Sequence, residues 1–218
     1  SQQEVDTLAQ FLKSETVNHQ LWKGKNAYEE RFHREDSLQN YDVLHIATHG
    51  YFFAAPKAAK EKKNWLRLDQ PGLQFRKIDR PLMRSGLMLS GAEKAWLTGE
   101  SYTNRMDGVW TAQEISELNL KNTKLAVLSA CETGLGKIEG NEGVYGLQRA
   151  FKLAGVEKLL VSIWKVDDEA TSLYMQQFYK NWLTGGTAYE AYRKTQTYFI
   201  QHQKYQHPYY WAGFVFME

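Results

Sequence analysis

Lys124-Leu-Ala-Val-Leu-Ser-Ala-Cys131-Glu-Thr-Gly-Leu-Gly136 opens with an apolar run and ends on a turn built from two glycines. Such a run reads as a buried strand, and it carries the single cysteine of the chain to the point where strand gives way to loop. In an open α/β sheet, reactive groups collect at carboxyl strand ends, because the loop there is held by a rigid scaffold yet reaches solvent. A second run, Tyr41-Asp-Val-Leu-His-Ile-Ala-Thr-His49-Gly50, is read as a strand over 41–48 that delivers an imidazole to its last position. One thiol and one imidazole at two strand ends predict a cysteine–histidine dyad of Cys131 and His49.

Length and composition narrow the setting. A chain of 218 residues suits one domain and buries about 70% of its unfolded surface. A formal charge of +2, from 27 basic and 25 acidic residues without a long basic run, gives no nucleic-acid footprint. The densest positive patch, Lys57 to Lys63, reads as a solvated loop. One cysteine excludes an internal disulfide and a multi-thiolate zinc site, and fits a reducing, cytoplasmic compartment. No stretch approaches about 18 apolar residues, so no membrane span is expected. The chain opens at Ser1 without an initiator methionine, so the lack of a targeting segment carries no weight.

Local signals give an alternating order of elements. Val5, Leu8, Ala9 and Leu12 predict a helix over about 3–13, the alternation of Val17, His19 and Leu21 a strand over 16–22, and Asn26 with Glu29 a capping box for a helix to about 35. Periodicity then fades between 53 and 108 apart from a strand at Gly86-Leu-Met-Leu-Ser90. That long stretch is expected to form a lid or groove wall, held partly by Trp65, Leu66, Leu68 and Leu73. Thr111 and Glu114 cap a helix to about 118. A helix over 141–154 ends at Gly155, a strand spans 157–164, and Asp167 or Asp168 starts a helix that Gly185-Gly186 closes. Thr187 with Glu190 caps another helix to about 203, and 211–216 is the last strand. Strand and helix in turn predict an α/β fold with a mainly parallel sheet.

Five motifs in order carry a family resemblance: Thr48-His49-Gly50; Leu128-Ser-Ala-Cys131-Glu-Thr-Gly134; Gly143-Val-Tyr-Gly-Leu-Gln-Arg-Ala-Phe151 with Ala154-Gly155; Trp164 with Asp168, Ala170 and Thr171; and His207-Pro-Tyr-Tyr-Trp211. Over roughly 41–216 the chain resembles the CHAT domain, a family similar in fold to caspases and separase. The resemblance implies a caspase-like α/β/α sandwich and a cysteine endopeptidase acting through His49 and Cys131, with no cofactor and no metal. It makes 1–40 N-terminal elements of the same domain and 41–218 the peptidase core, with 53–108 its variable region beside the groove. It also implies that the family's opening strand precedes Ser1. The partners implied are a protein substrate and a regulatory repeat or sensor module in the same or another chain.

By resemblance to caspases, the backbone N–H groups of Gly50 and Cys131 form the oxyanion hole, and the P1 pocket is lined by Ser129 and by the loop from Trp164 to Asp168. Ser129 is small and uncharged. Separase has an acidic residue where Asp168 stands, which favours a basic P1; Lys165, where separase is acidic, opposes it. Asp167 and Asp168 also open a helix, where acidic residues are stabilised by the macrodipole without any substrate. Basic and neutral P1 both stay open. His45, four residues before His49, reads as a core or supporting residue. A catalytically silent scaffold on the same fold is the alternative reading, and a small-molecule amidase or acyltransferase a third.

Overall fold

The computed structural model describes residues 2–33, 38–52, 81–98, 106–129 and 142–218, with the backbone alone for 142–145. Among the described residues seven strands form two sheets. The main sheet has the order β1 (Val43–Ile46), β5 (Leu125–Leu128), β6 (Lys158–Ser162), β7 (Phe214–Met217). The first three are parallel, and β7 closes the sheet antiparallel to β6. A second, antiparallel sheet joins β2 (His49–Phe52), β3 (Ser85–Met88) and β4 (Val109–Thr111).

The apolar run that was expected to be a buried strand is one. All four residues of β5 are buried, and their side chains alternate between two cores. Leu125 and Val127 face a cluster with Leu8 of α1 (Gln2–Ser14), Tyr174 and Phe178 of α6 (Asp168–Leu183) and Phe199 of α7 (Ala188–Gln201). Ala126 and Leu128 face Ile115 of α4 (Ala112–Ser116), Phe151 of α5 (Glu142–Leu153), Leu87 of β3 and Trp110 of β4. A sheet covered on both faces is the layered α/β/α arrangement, and it explains why the strand lacks polar alternation. Tyr174 and Phe214 stack at 4.0 Å between centroids, a pairing worth about 0.5–1.5 kcal/mol beyond burial.

The capping signals hold at α4, α6 and α7. Thr111 with Glu114 and Thr187 with Glu190 form complete capping boxes for α4 and α7. Asp167 caps α6 by accepting from the Glu169 and Ala170 N–H groups. Gly155 follows α5 at φ +105°, as a residue just past a helix end does. Among the described residues no helix is long and apolar enough to cross a membrane.

Three expectations fail, each for a local reason. Residues 16–22 form no strand. α1 instead ends with Thr16 at φ +59°, the Thr16 N–H on the Lys13 carbonyl (3.1 Å) and the Val17 N–H on the Leu12 carbonyl (2.9 Å). That bonding pattern is a Schellman closure with threonine where glycine is usual, so the backbone groups a strand would need are already turned to the helix. Asn26 caps no long helix: it ends a short 3-10 turn, Gly24–Asn26, and α2 is one turn, Glu30–His33. The carboxylate of Glu29 points inward instead, accepting the Gly108 N–H at 2.8 Å. The stretch 53–108 is also less irregular than expected, because α3 (Ala92–Thr98) falls inside it beside the strand β3, which was expected there. Trp65, Leu66, Leu68, Leu73 and the Lys57 to Lys63 cluster lie outside the described residues.

Candidate active site

β1 and β5 lie side by side in parallel register, Val43 opposite Leu125 and Ile46 opposite Leu128. The Ser129 N–H donates to the Ile46 carbonyl at 3.2 Å, so the pairing continues one residue past the strands. The chain segments that leave these two carboxyl ends therefore start next to each other.

His49 does not end the strand that was expected to carry it. β1 stops at Ile46, and His49 is the first residue of β2, opposite Met88 in the second sheet. Thr48 makes the transfer between sheets, its hydroxyl donating to the Met88 carbonyl. The imidazole is exposed to solvent, on a backbone paired on one side with β3. His45 therefore shares neither strand nor sheet with His49, although four positions on one strand would share a face. Its ring is partly buried, hydrogen-bonded to Tyr179 Oη at 3.1 Å and to Glu4 Oε1 at 3.0 Å. Glu4, only 3% exposed, was missed. The available signal was its place four residues before Leu8, on the apolar stripe of α1.

Gly50 is buried opposite Leu87. A Cβ there would sit 3.5 Å from the Gly86 carbonyl oxygen and 4.0 Å from Leu87 Cδ2, ordinary contacts that do not by themselves demand glycine. Ser129 is 6% exposed, and its hydroxyl has no hydrogen-bond partner among the described residues. Ala130, Cys131 and the turn to Gly136 lie outside the described residues.

The loop after β6 is held by the last motif of the chain. Trp164 Nε1 donates to the Tyr209 carbonyl at 3.0 Å, and the Tyr209 hydroxyl donates to the Lys165 carbonyl at 2.8 Å. The Trp164 ring covers Gly213 so closely that a Cβ would come within 2.7 Å of it. His207 caps the short 3-10 turn Pro208–Tyr210 through the Tyr209 N–H, and Trp211 Nε1 donates to the Gln206 carbonyl. The His-Pro-Tyr-Tyr-Trp sequence thus clamps the backbone that leads to Asp167 and Asp168. Asp167 Oδ1 is engaged in the α6 cap, and Asp168 begins that helix, exposed. In α5, a Cβ on Gly146 would collide with Ser85 Oγ, which explains the second glycine of its motif: the helix packs directly on β3.

A cavity of about 610 Å³ runs beside β1, lined by its residues Val43 to Thr48 and by Trp22, Met88 and Trp110. It ends one residue short of His49 in sequence.

Sequence reasoning also missed the chemistry of Glu29. Burial, then the Glu114 carboxylate, pushes its carboxyl up to about 8, and Asp107 and Glu30 push the same way against the Gly108 N–H. In the unfolded chain this carboxyl ionises near 4.5. The folded state therefore holds a proton that the unfolded state releases. Stability contributed this way is full below about 4.5 and is lost as pH rises toward 8, at up to about 1.4 kcal/mol per pH unit. Glu29→Gln keeps the acceptor for Gly108 without the charge. In chelator-containing buffer we expect that variant to melt above the wild type at pH 8 and with it at pH 4.5, in pH-resolved thermal melts; parallel curves would contradict the assignment.

The family model of the CHAT domain matches residues 1–218. Tetratricopeptide repeat protein 28 of Homo sapiens is 33% identical over 105 residues, 48% of this chain and 4% of that protein. Its Mus musculus counterpart is 31% identical over the same length and the same shares. The match thus spans a small fraction of the length of these curated relatives. With the whole chain covered by the family model, and two helix-covered faces on a mostly parallel sheet, the chain belongs to the CHAT-domain family.

Proposed function

We propose that this chain is a cysteine endopeptidase module. The observation that carries the reading is the pairing of Ile46 with Leu128 on adjacent parallel strands. His49 and Cys131 each follow their paired residue by three positions in sequence, so two equal-length exits from neighbouring strand ends lead to base and nucleophile.

In the proposed mechanism His49 takes the thiol proton, and the Cys131 thiolate attacks the scissile carbonyl carbon. The resulting oxyanion is held by the N–H groups of Gly50 and Cys131, donors fixed before the reaction begins. His49 then returns the proton to the leaving amine, and water, deprotonated by the same imidazole, releases the acyl group. Thr48 and the His49–Met88 pairing support this by fixing the backbone under the imidazole. Ser129 and the clamped loop from Trp164 to Asp168 border the P1 residue. A repeat module, in keeping with the tetratricopeptide repeats named in the relatives, presents the protein substrate and restrains the enzyme.

The test uses the fact that the chain has one cysteine, so any thiol label reports on Cys131 alone. Near pH 7 a chloroacetamide probe should react faster with the protein than with free cysteine, and His49→Ala should slow it by about tenfold or more. Equal labelling with and without His49 would overturn the peptidase reading in favour of a silent scaffold.

A further inference from the structure

Away from the proposed peptidase site, Glu29, His33 and Glu114 bring three ligand atoms within 4.8 Å of one another. Glu29 immediately precedes α2, His33 ends it four positions on, and Glu114 lies in the first turn of α4. Each carboxylate is held by hydrogen bonds to one of its oxygens. Glu29 Oε2 accepts the Gly108 N–H at 2.8 Å, and its Oε1 lies 3.5 Å from His33 Nε2. Glu114 Oε2 accepts the Thr111 N–H at 2.8 Å and the Thr111 hydroxyl at 2.6 Å.

A second observation comes from the imidazole. His33 Nε2 is shielded from solvent and has no hydrogen-bond partner among the described residues, although the ring as a whole is partly exposed. A shielded ring nitrogen that makes no hydrogen bond costs free energy, and this one has an ion-pair contact with a carboxylate that is 1% exposed. Metal-binding histidines present a bare nitrogen in this way, and ligands steered by backbone donors are typical of a built coordination shell.

We propose that Glu29, His33 and Glu114 form a structural site for a first-row divalent cation of the zinc type, with water completing the shell. One imidazole nitrogen and two carboxylate oxygens suit Zn²⁺, Co²⁺ or Mn²⁺ better than Ca²⁺, which takes six to eight oxygens. The 3.5 Å separation of His33 Nε2 and Glu29 Oε1 is close to the spacing of about 3.4 Å that bonds of 2.0–2.1 Å impose in a tetrahedral shell. The cation ties the segment before β1 to the start of α4 and, through Gly108, to the sheet that carries His49.

The experiment uses the full chain in a Cys131→Ala background, so that thiolate and His49 cannot capture the metal together. Protein stripped with chelator and dialysed is titrated with ZnCl₂ by calorimetry and by thermal melt, then with CoCl₂ for a visible absorption band. We expect one equivalent of Zn²⁺ to bind at micromolar Kd or tighter and to raise Tm by several degrees. His33→Ala and Glu114→Gln should weaken binding by about tenfold or more, and a cooperative melt in chelator shows that each variant still folds. Glutamine is accepted in a capping box, so α4 keeps its start in the second variant. No binding, or equal binding in all three proteins, would overturn the site. Neither result depends on peptide cleavage.

Discussion

Cys131→Ala in the intact parent protein is expected to abolish peptide cleavage, by about 10³-fold or more, while the protein still melts cooperatively. The size of the effect follows from chemistry. Alanine has no atom that can form the thioester, and the oxyanion donors and substrate contacts that remain supply only the residual catalysis seen when a nucleophile is removed from a triad. His49→Ala should fall less, by about 10²–10⁴-fold, because a thiol keeps a few per cent of thiolate near neutral pH without help. The measurement is cleavage of a peptide library followed by mass spectrometry. Wild-type turnover in Cys131→Ala would sink the proposed mechanism, and the cleavage sites of the active protein would report whether P1 is basic or neutral.

Gly86→Ala should be among the most destabilising single-methyl additions in the described residues. Gly86 is at the centre of the second sheet, between Tyr51 on β2 and Thr111 on β4. A Cβ there would lie 2.6 Å from the Trp110 carbonyl oxygen and 2.7 Å from the Tyr51 ring and hydroxyl. Neither neighbour yields easily: Trp110 is fully buried and stacked on Phe32 at 4.9 Å, and Tyr51 is 4% exposed. Overpacking against backbone falls at the upper end of the usual range, about 3 kcal/mol, or roughly 6–12 °C in Tm for a chain of this size. Since β3 also sets the register of His49 through Met88, probe labelling of Cys131 should slow in the same variant. Gly50→Ala is the control, because its added methyl meets neighbours at ordinary distance and the melt should stay within a degree or two of wild type. Matching melts for the two variants would refute the packing argument.

The main sheet was legible because its strands are covered on both faces, so the Leu125 to Leu128 and Lys158 to Ser162 segments announce themselves as apolar runs between turn residues. Helix ends were legible where a side chain closes the backbone locally, as at Thr111, Asp167 and Thr187. The second sheet was largely not. β4 has three residues, all buried, and β2 follows β1 after only Ala47 and Thr48, so neither leaves room for a periodic signal. As a result His49 was read onto the wrong strand. Glu29 was invisible for another reason: acids are read as solvent-facing, and only its tertiary partner Gly108 reveals it as an interior group; Glu4 was passed over on the same ground despite its place on the α1 stripe.

The strand order bears on how the protein is made. Partner residues on β5 and β6 are 33 positions apart, joined by α5, whereas those on β1 and β5 are 82 apart. Loop closure therefore favours β5, α5 and β6 as the first unit to assemble, with β1 recruited late. At about 5–20 residues per second, β1 leaves the ribosome roughly 4–16 s before its neighbour exists. Throughout that interval the nascent His45-bearing segment is an unmated edge, and recovery on dilution from denaturant should fall as protein concentration rises.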